Sequence, residues 1–125
     1  MNRTIQEWID KGEADYLTAG REIAVAEGPN FDAVCFHAEQ CIEKLMKALL
    51  IRHGVVPPKT HDLVQLSKRL SLVCHDWSWA IEDLRFLTRA AVDFRYPGES
   101  GDAEEATEAF DICTGLREKL LRLLR

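Results

Sequence analysis

Apolar residues recur along this chain at intervals of three and four, the repeat of an α-helix, and no useful stretch alternates in the manner of a half-buried strand. In the first segment Ile5, Trp8, Ile9, Tyr16, Ala19, Ile23 and Ala26 share a side, with a gap at Gly12. Thr4 and Glu7 have capping-box spacing, so the helix is predicted to open there and to end at Gly28-Pro29-Asn30. Asn30 can cap a second helix, with Asp32 in the first turn favouring the positive end of the dipole. Its stripe, Val34, Cys35, Ala38, Cys41, Ile42, Leu45, Met46, Leu49 and Leu50, is broad enough to face more than one neighbour. Glu39, Glu43, Lys44 and Lys47 lie beside the stripe, and Glu43 with Lys47 makes a favourable i,i+4 pair. A solvated face is the plain reading of those charges.

His53-Gly54 closes this helix, and Val55-Val56-Pro57-Pro58-Lys59 reads as an extended connector because each proline disfavours helix in the residue before it. Thr60 is placed to cap a short third helix with the stripe Leu63, Leu66, Leu70 and Val73. After a break at His75-Asp76-Trp77-Ser78, a fourth carries Ile81, Leu84, Leu87, Thr88, Ala91 and Phe94 inward and stops at Pro97-Gly98. Asp102 with Glu105 begins the last, through Ala106, Ala109, Phe110, Cys113, Leu116, Leu120 and Leu124. Its late cations, Arg117, Lys119, Arg122 and Arg125, suit the negative end of a helix dipole or, alternatively, RNA contact. Long amphipathic segments with short breaks predict an all-α fold: an up-down four-helix bundle with an additional short helix, about five in all. The 125 residues form one expected domain spanning 1–125.

Composition narrows the function classes. A formal net charge of −5 argues against a dedicated non-specific nucleic-acid binder, although it leaves room for a local basic groove. The polar start Met1-Asn2-Arg3-Thr4 shows no secretory signal, and no apolar run nears the roughly 20 residues of a membrane helix, so the expectation is a cytoplasmic protein without membrane attachment. Cys35, Cys41, Cys74 and Cys113 have no metal-type spacing and read as buried reduced thiols. His37 and Cys41 stand four apart, yet nothing completes a ligand set, so neither metal nor cofactor is expected.

Several motifs in order resemble one family. These are Trp8 and then Asp15-Tyr16-Leu17; Phe36-His37-Ala38-Glu39-Gln40 leading into Glu43-Lys44 and Lys47-Ala48-Leu49; Thr60-His61-Asp62-Leu63; and Arg95-Tyr96-Pro97. The chain is similar in these features to HEPN domains, from about Trp8 to the final helix. The resemblance implies a four- or five-helix bundle that commonly forms a homodimer, encoded in prokaryotes beside a minimal nucleotidyltransferase, many such pairs acting as toxin and antitoxin. Several branches are metal-independent ribonucleases in which an arginine is followed four to six residues later by a histidine. Arginine can hold the phosphate there and histidine can move the proton.

Arg89 stands where that arginine is expected, but positions four to six residues beyond it hold Asp93, Phe94 and Arg95. The resemblance therefore implies a non-catalytic nucleotide-binding or partner module, the companion of a minimal nucleotidyltransferase, with no catalytic residues. The alternative is a metal-independent, RNA-cleaving enzyme using Arg89 with a displaced His61, or the loosely matching Arg69 and His75. Candidate nucleotide- or partner-binding residues are Lys47, His61, Arg85, Arg89, Arg95 and Tyr96. Arg85 and Arg89, four apart, share one side of a helix and could receive a phosphate or an acidic partner. They could equally pair with Glu39, Glu43 or Asp93 across the bundle. Lys47 joins them only if the second and fourth helices pack together. Trp77 and Trp79, if exposed, would anchor an interface.

Overall fold

The helical repeat is realised in five segments. The computed structural model describes residues 2–94 and 96–125, and among these the elements are α1 (Arg3–Ile23), α2 (Phe31–Arg52), α3 (Leu63–Val73), α4 (Ile81–Asp93) and α5 (Ala103–Leu124), with no strand. The all-α bundle expected from the pattern is what forms. No helix among the described residues is long and apolar enough to cross a membrane.

The breadth of the second stripe explains the architecture. α2 packs against all four other helices, and its nine stripe residues from Val34 to Leu50 are fully buried. Each large aliphatic side chain withdrawn in this way contributes about 1.5–3 kcal/mol of hydrophobic free energy. The gap at Gly12 is a point of close approach. A Cβ there would lie 3.1 Å from Leu45 Cδ2 and 3.2 Å from the Cys41 carbonyl oxygen. Glycine thus lets α1 settle onto α2.

Two caps differ from expectation. α1 is capped by Asn2, whose Oδ1 accepts from the N–H of Thr4 (2.7 Å) and Ile5 (3.3 Å), ahead of the Thr4–Glu7 spacing. α3 is capped by Asp62, which accepts from Val64 N–H at 2.9 Å, while Thr60 Oγ1 accepts the N–H of Asp62. Asn30 caps α2 as expected, and Asp102 with Glu105 forms the full capping box of α5. Ile81 and Val73, read as inward-facing, are exposed at their helix ends.

The late cations of α5 are partly committed to the bundle itself. Arg117 makes a bidentate pair with Glu13 of α1 (2.7 and 3.0 Å), which pushes the guanidinium pKa up, and it lies 4.3 Å from the Tyr16 ring centroid. Tyr16 stacks on Phe110 at 5.2 Å between centroids. Thr114 Oγ1 donates to the Phe110 carbonyl and so accepts from the Tyr16 hydroxyl at 2.9 Å. Lys119 donates to the Ser78 carbonyl. Trp77 is buried, its Nε1–H donating to Ser67 Oγ at 2.9 Å, and is a core residue rather than an interface anchor. Trp79 is half-buried, with its Nε1–H on Asp83.

All four cysteines are free and buried. Burial, with the carboxylates of Glu105, Asp32 and Asp102 nearby, pushes the Cys35 thiol up to about 12. A hydrogen bond with Cys113, together with burial, drives the Cys41 thiol well upward.

Candidate functional site

The short α3 lies against α4, and the register between them is pinned by Thr88, whose Oγ1 accepts the N–H of Leu63 at 3.1 Å. The two helices enclose an open groove of about 490 Å³, into which α4 contributes Arg85, Arg89 and Asp93, and α3 contributes Lys68 and its capping residue Asp62. Arg85 and Arg89 emerge together because they are one helical turn apart. Neither they nor Lys68 forms an ion pair among the described residues. Their cross-bundle pairing with Glu43 or Asp93 does not occur there. Three cations facing two carboxylates give the groove a net positive lining, suited to a phosphate or an acidic partner surface.

Lys47 and His61 belong to a different cluster, centred on Glu43. This carboxylate is buried; its Oε2 accepts from Lys47 Nζ at 3.1 Å and its Oε1 from His61 Nδ1 at 2.9 Å. Gln40 Nε2 reaches the same Oε1 at 3.4 Å and Glu39 Oε2 at 2.9 Å. The charges beside the α2 stripe are therefore not a solvated face: Glu39, Glu43 and Lys47 are all buried. A carboxylate bound to an ammonium can only accept, so the imidazole proton sits on Nδ1 and Nε2 of a neutral His61 is left basic. The His61 side chain is 75% exposed. His61 precedes the groove residue Asp62, two positions from the Leu63–Thr88 bond that leads into Arg89.

A second acid–imidazole pair lies between α1 and α2. The buried Asp15 accepts from His37 Nδ1 at 2.7 Å and from Lys44 Nζ at 2.5 Å. His37 also lines a cavity of about 260 Å³ with Ala91 and Phe94, at the close of α4. No histidine follows Arg89 in sequence at the expected distance, but packing brings one from α2 to that end of the helix. Among the described residues no histidine hydrogen-bonds Arg89.

The residues read from the sequence thus separate. Arg85 and Arg89 come together, Lys47 and His61 meet at Glu43, and Tyr96 is exposed beyond the end of α4 and outside the groove. Arg95 lies outside the described residues. Arg69 and His75 are exposed, with neither in the groove. Lys68 was missed because its partners are on another helix. Glu43 could have been flagged by its i,i+4 spacing to Lys47, although spacing alone cannot tell a buried pair from a solvated one.

This fold and its motifs have counterparts among known proteins. The sequence profile of the HEPN domain matches residues 5–123, nearly the whole chain. The chain belongs to the HEPN domain family. No curated protein sequence matches it. Among solved structures, TT1696 from Thermus thermophilus is similar with a TM-score of 0.78 at 19% identity, covering 98% of this chain and 99% of that one. ST0689, described as an archaeal HEPN homologue, is similar with a TM-score of 0.70 at 20% identity over 100% of both chains. At those identities the likeness is one of fold.

Proposed function

We propose that this HEPN protein is a binding module, the non-catalytic companion of a minimal nucleotidyltransferase in a toxin–antitoxin-type pair, acting as a homodimer in the cytoplasm. Its α3/α4 groove holds the phosphates of a nucleotide or an acidic face of the partner. The single observation that carries this reading is the convergence of Lys68, Arg85 and Arg89 in an open groove without ion-pair partners among the described residues. Cations left uncompensated on a surface repel one another, and an anion arriving there relieves that repulsion. The test is co-expression with the nucleotidyltransferase encoded nearest its gene, followed by pull-down, and titration with ATP by calorimetry. A complex, or ATP binding, that is lost in Arg85→Gln/Arg89→Gln supports the reading; neither complex nor nucleotide binding removes it.

A second reading, a metal-independent endoribonuclease, is favoured by one feature: the Glu43 carboxylate holds the exposed His61 imidazole through Nδ1, next in sequence to the groove residue Asp62. An imidazole so oriented can take a proton from a ribose hydroxyl while Arg89 binds the phosphate. RNA cleavage in EDTA, lost in both Arg89→Ala and His61→Ala, would establish it. An inert protein under those conditions leaves the binding module.

A further inference from the structure

The α3/α4 groove does not end at its cations. Val64 and Lys68, which line it, also line a smaller cavity of about 160 Å³ that Ser71 of α3 and Trp79 and Ile81 at the start of α4 close off. The two spaces share a wall and form one crevice along the helix pair. α4 presents Ile81, Arg85, Arg89 and Val92 to it at intervals of four, four and three, on one side of the helix, beside the buried Leu84, Leu87 and Ala91. Ile81 and Val92 are 43% and 42% exposed. Eleven positions on a helix set them roughly 16 Å apart along its axis. Two apolar side chains thus bracket a row of cations, Arg85 and Arg89 with Lys68 across the crevice, and none of the three is in an ion pair among the described residues. At the Val92 end Asp62 and Asp93 reverse the sign of the lining.

We propose that this crevice seats one amphipathic helix of an acidic partner protein, a proposal that rests on the groove's receiving a partner's acidic face and adds the pattern of that face. Two aliphatic residues eleven positions apart on the partner helix meet Ile81 and Val92. Glutamates or aspartates on the turns between them meet Lys68, Arg85 and Arg89. A lysine or arginine beyond the anchor at Val92 meets Asp62 and Asp93, which fixes the direction of the helix. Apolar anchors repeated at turn spacing give a helix its affinity for a groove, and the charges choose the partner. A phosphate or a nucleic-acid strand would use the cations alone and leave Ile81, Trp79 and Val92 in water. The chain's net charge of −5 also repels a polyanion that brings no apolar contact with it.

The test titrates the full-length protein into a fluorescein-labelled, alanine-rich peptide of about 20 residues, long enough to hold a helix, and follows anisotropy. The peptide carries leucines eleven positions apart with glutamates on the turns between them. Saturable binding is expected. Ile81→Ser and Val92→Ser should each weaken it about five-fold. Arg85→Gln/Arg89→Gln should weaken it about ten-fold and flatten its dependence on salt. Leu72→Ser, an exposed α3 position outside the crevice, should leave it unchanged. All these substituted side chains are exposed, so the variants should fold as the wild type does. The proposal is overturned if the peptide does not bind, or if a version with alanine for both leucines binds as tightly, since the crevice would then attract charge alone. It is also overturned if sedimentation shows the wild type self-associating through this surface and Ile81→Ser/Val92→Ser monomeric, which would make a second copy the occupant. ATP binding without peptide binding would remove this proposal and leave the function proposed above. Peptide binding with neither ATP nor a nucleotidyltransferase bound would support the crevice and remove the companion reading alone.

Discussion

Replacing Lys47 by methionine isolates the buried charge cluster. The substitution keeps most of the aliphatic stem and removes the ammonium, leaving Glu43 Oε2 without the donor that sits at 3.1 Å. The Lys47 and Glu43 side chains are only 9% and 5% exposed, so water cannot readily replace the lost partner. Removing one member of a buried pair costs about 3–5 kcal/mol in general. Here His61 and Gln40 still donate to the other oxygen of Glu43, which places the expected loss at the lower end, about 3 kcal/mol. For a domain of this size that is a fall in Tm of roughly 10 °C. Urea unfolding of the wild type, Lys47→Met, Glu43→Gln and the double variant would give the coupling directly. The double variant should be less destabilised than the two singles predict together, by about 1–3 kcal/mol. A Lys47→Met protein within roughly 0.5 kcal/mol of wild type, the usual effect of a surface substitution, would mean that the cluster is solvated and would refute the reasoning.

Four further outcomes are expected. Because all four thiols are buried and the Cys35 thiol is pushed up to about 12, the native protein at pH 8 should react slowly with DTNB, and all four should react at once in denaturant. The same raised thiol holds its proton in the folded state after the unfolded chain has lost it. Stability should therefore be level in this respect below about pH 9, fall as pH rises from there toward 12, and fall less steeply in Cys35→Ala, as urea midpoints across that range would show. Arg117→Met should lose the bidentate contact with Glu13 and cost about 1 kcal/mol, partly exposed pairs being worth little more, with no change in ATP binding by calorimetry. Asp102→Ala should break the reciprocal α5 capping box and lower stability by about 1 kcal/mol, measured by thermal denaturation.

The apolar periodicity was enough to locate all five helices, because each stripe records which side of a helix leaves water. It also identified α2 as the hub, since a stripe too broad for one neighbour must meet several. The start of α1 was misplaced because Thr4–Glu7 matches a capping box while Asn2, two residues earlier, supplies the actual acceptor. The unbroken order of motifs from Trp8 to Arg95 was legible as well, and it agrees with the family profile over residues 5–123.

Helix identity and family are local properties of the chain, written in spacing and in the order of motifs, and the amino-acid sequence alone determined them. The fate of each polar side chain was decided only by the tertiary structure. Glu43 and Lys47 have the same i,i+4 spacing whether solvated or buried, and it is the connector bringing His61 onto Glu43 that completes the cluster. Arg85 and Arg89 share a turn in any helix, but only the packing of α3 against α4 sets Lys68 opposite them and leaves all three without an ion-pair partner among the described residues. His37, more than fifty residues before Arg89 in the chain, lines a cavity with Ala91 and Phe94 at the close of α4, a placement that no interval along the sequence predicts. Charge pairing depends on distance in space and on the exclusion of water, and neither is encoded in the interval between two residues along a chain.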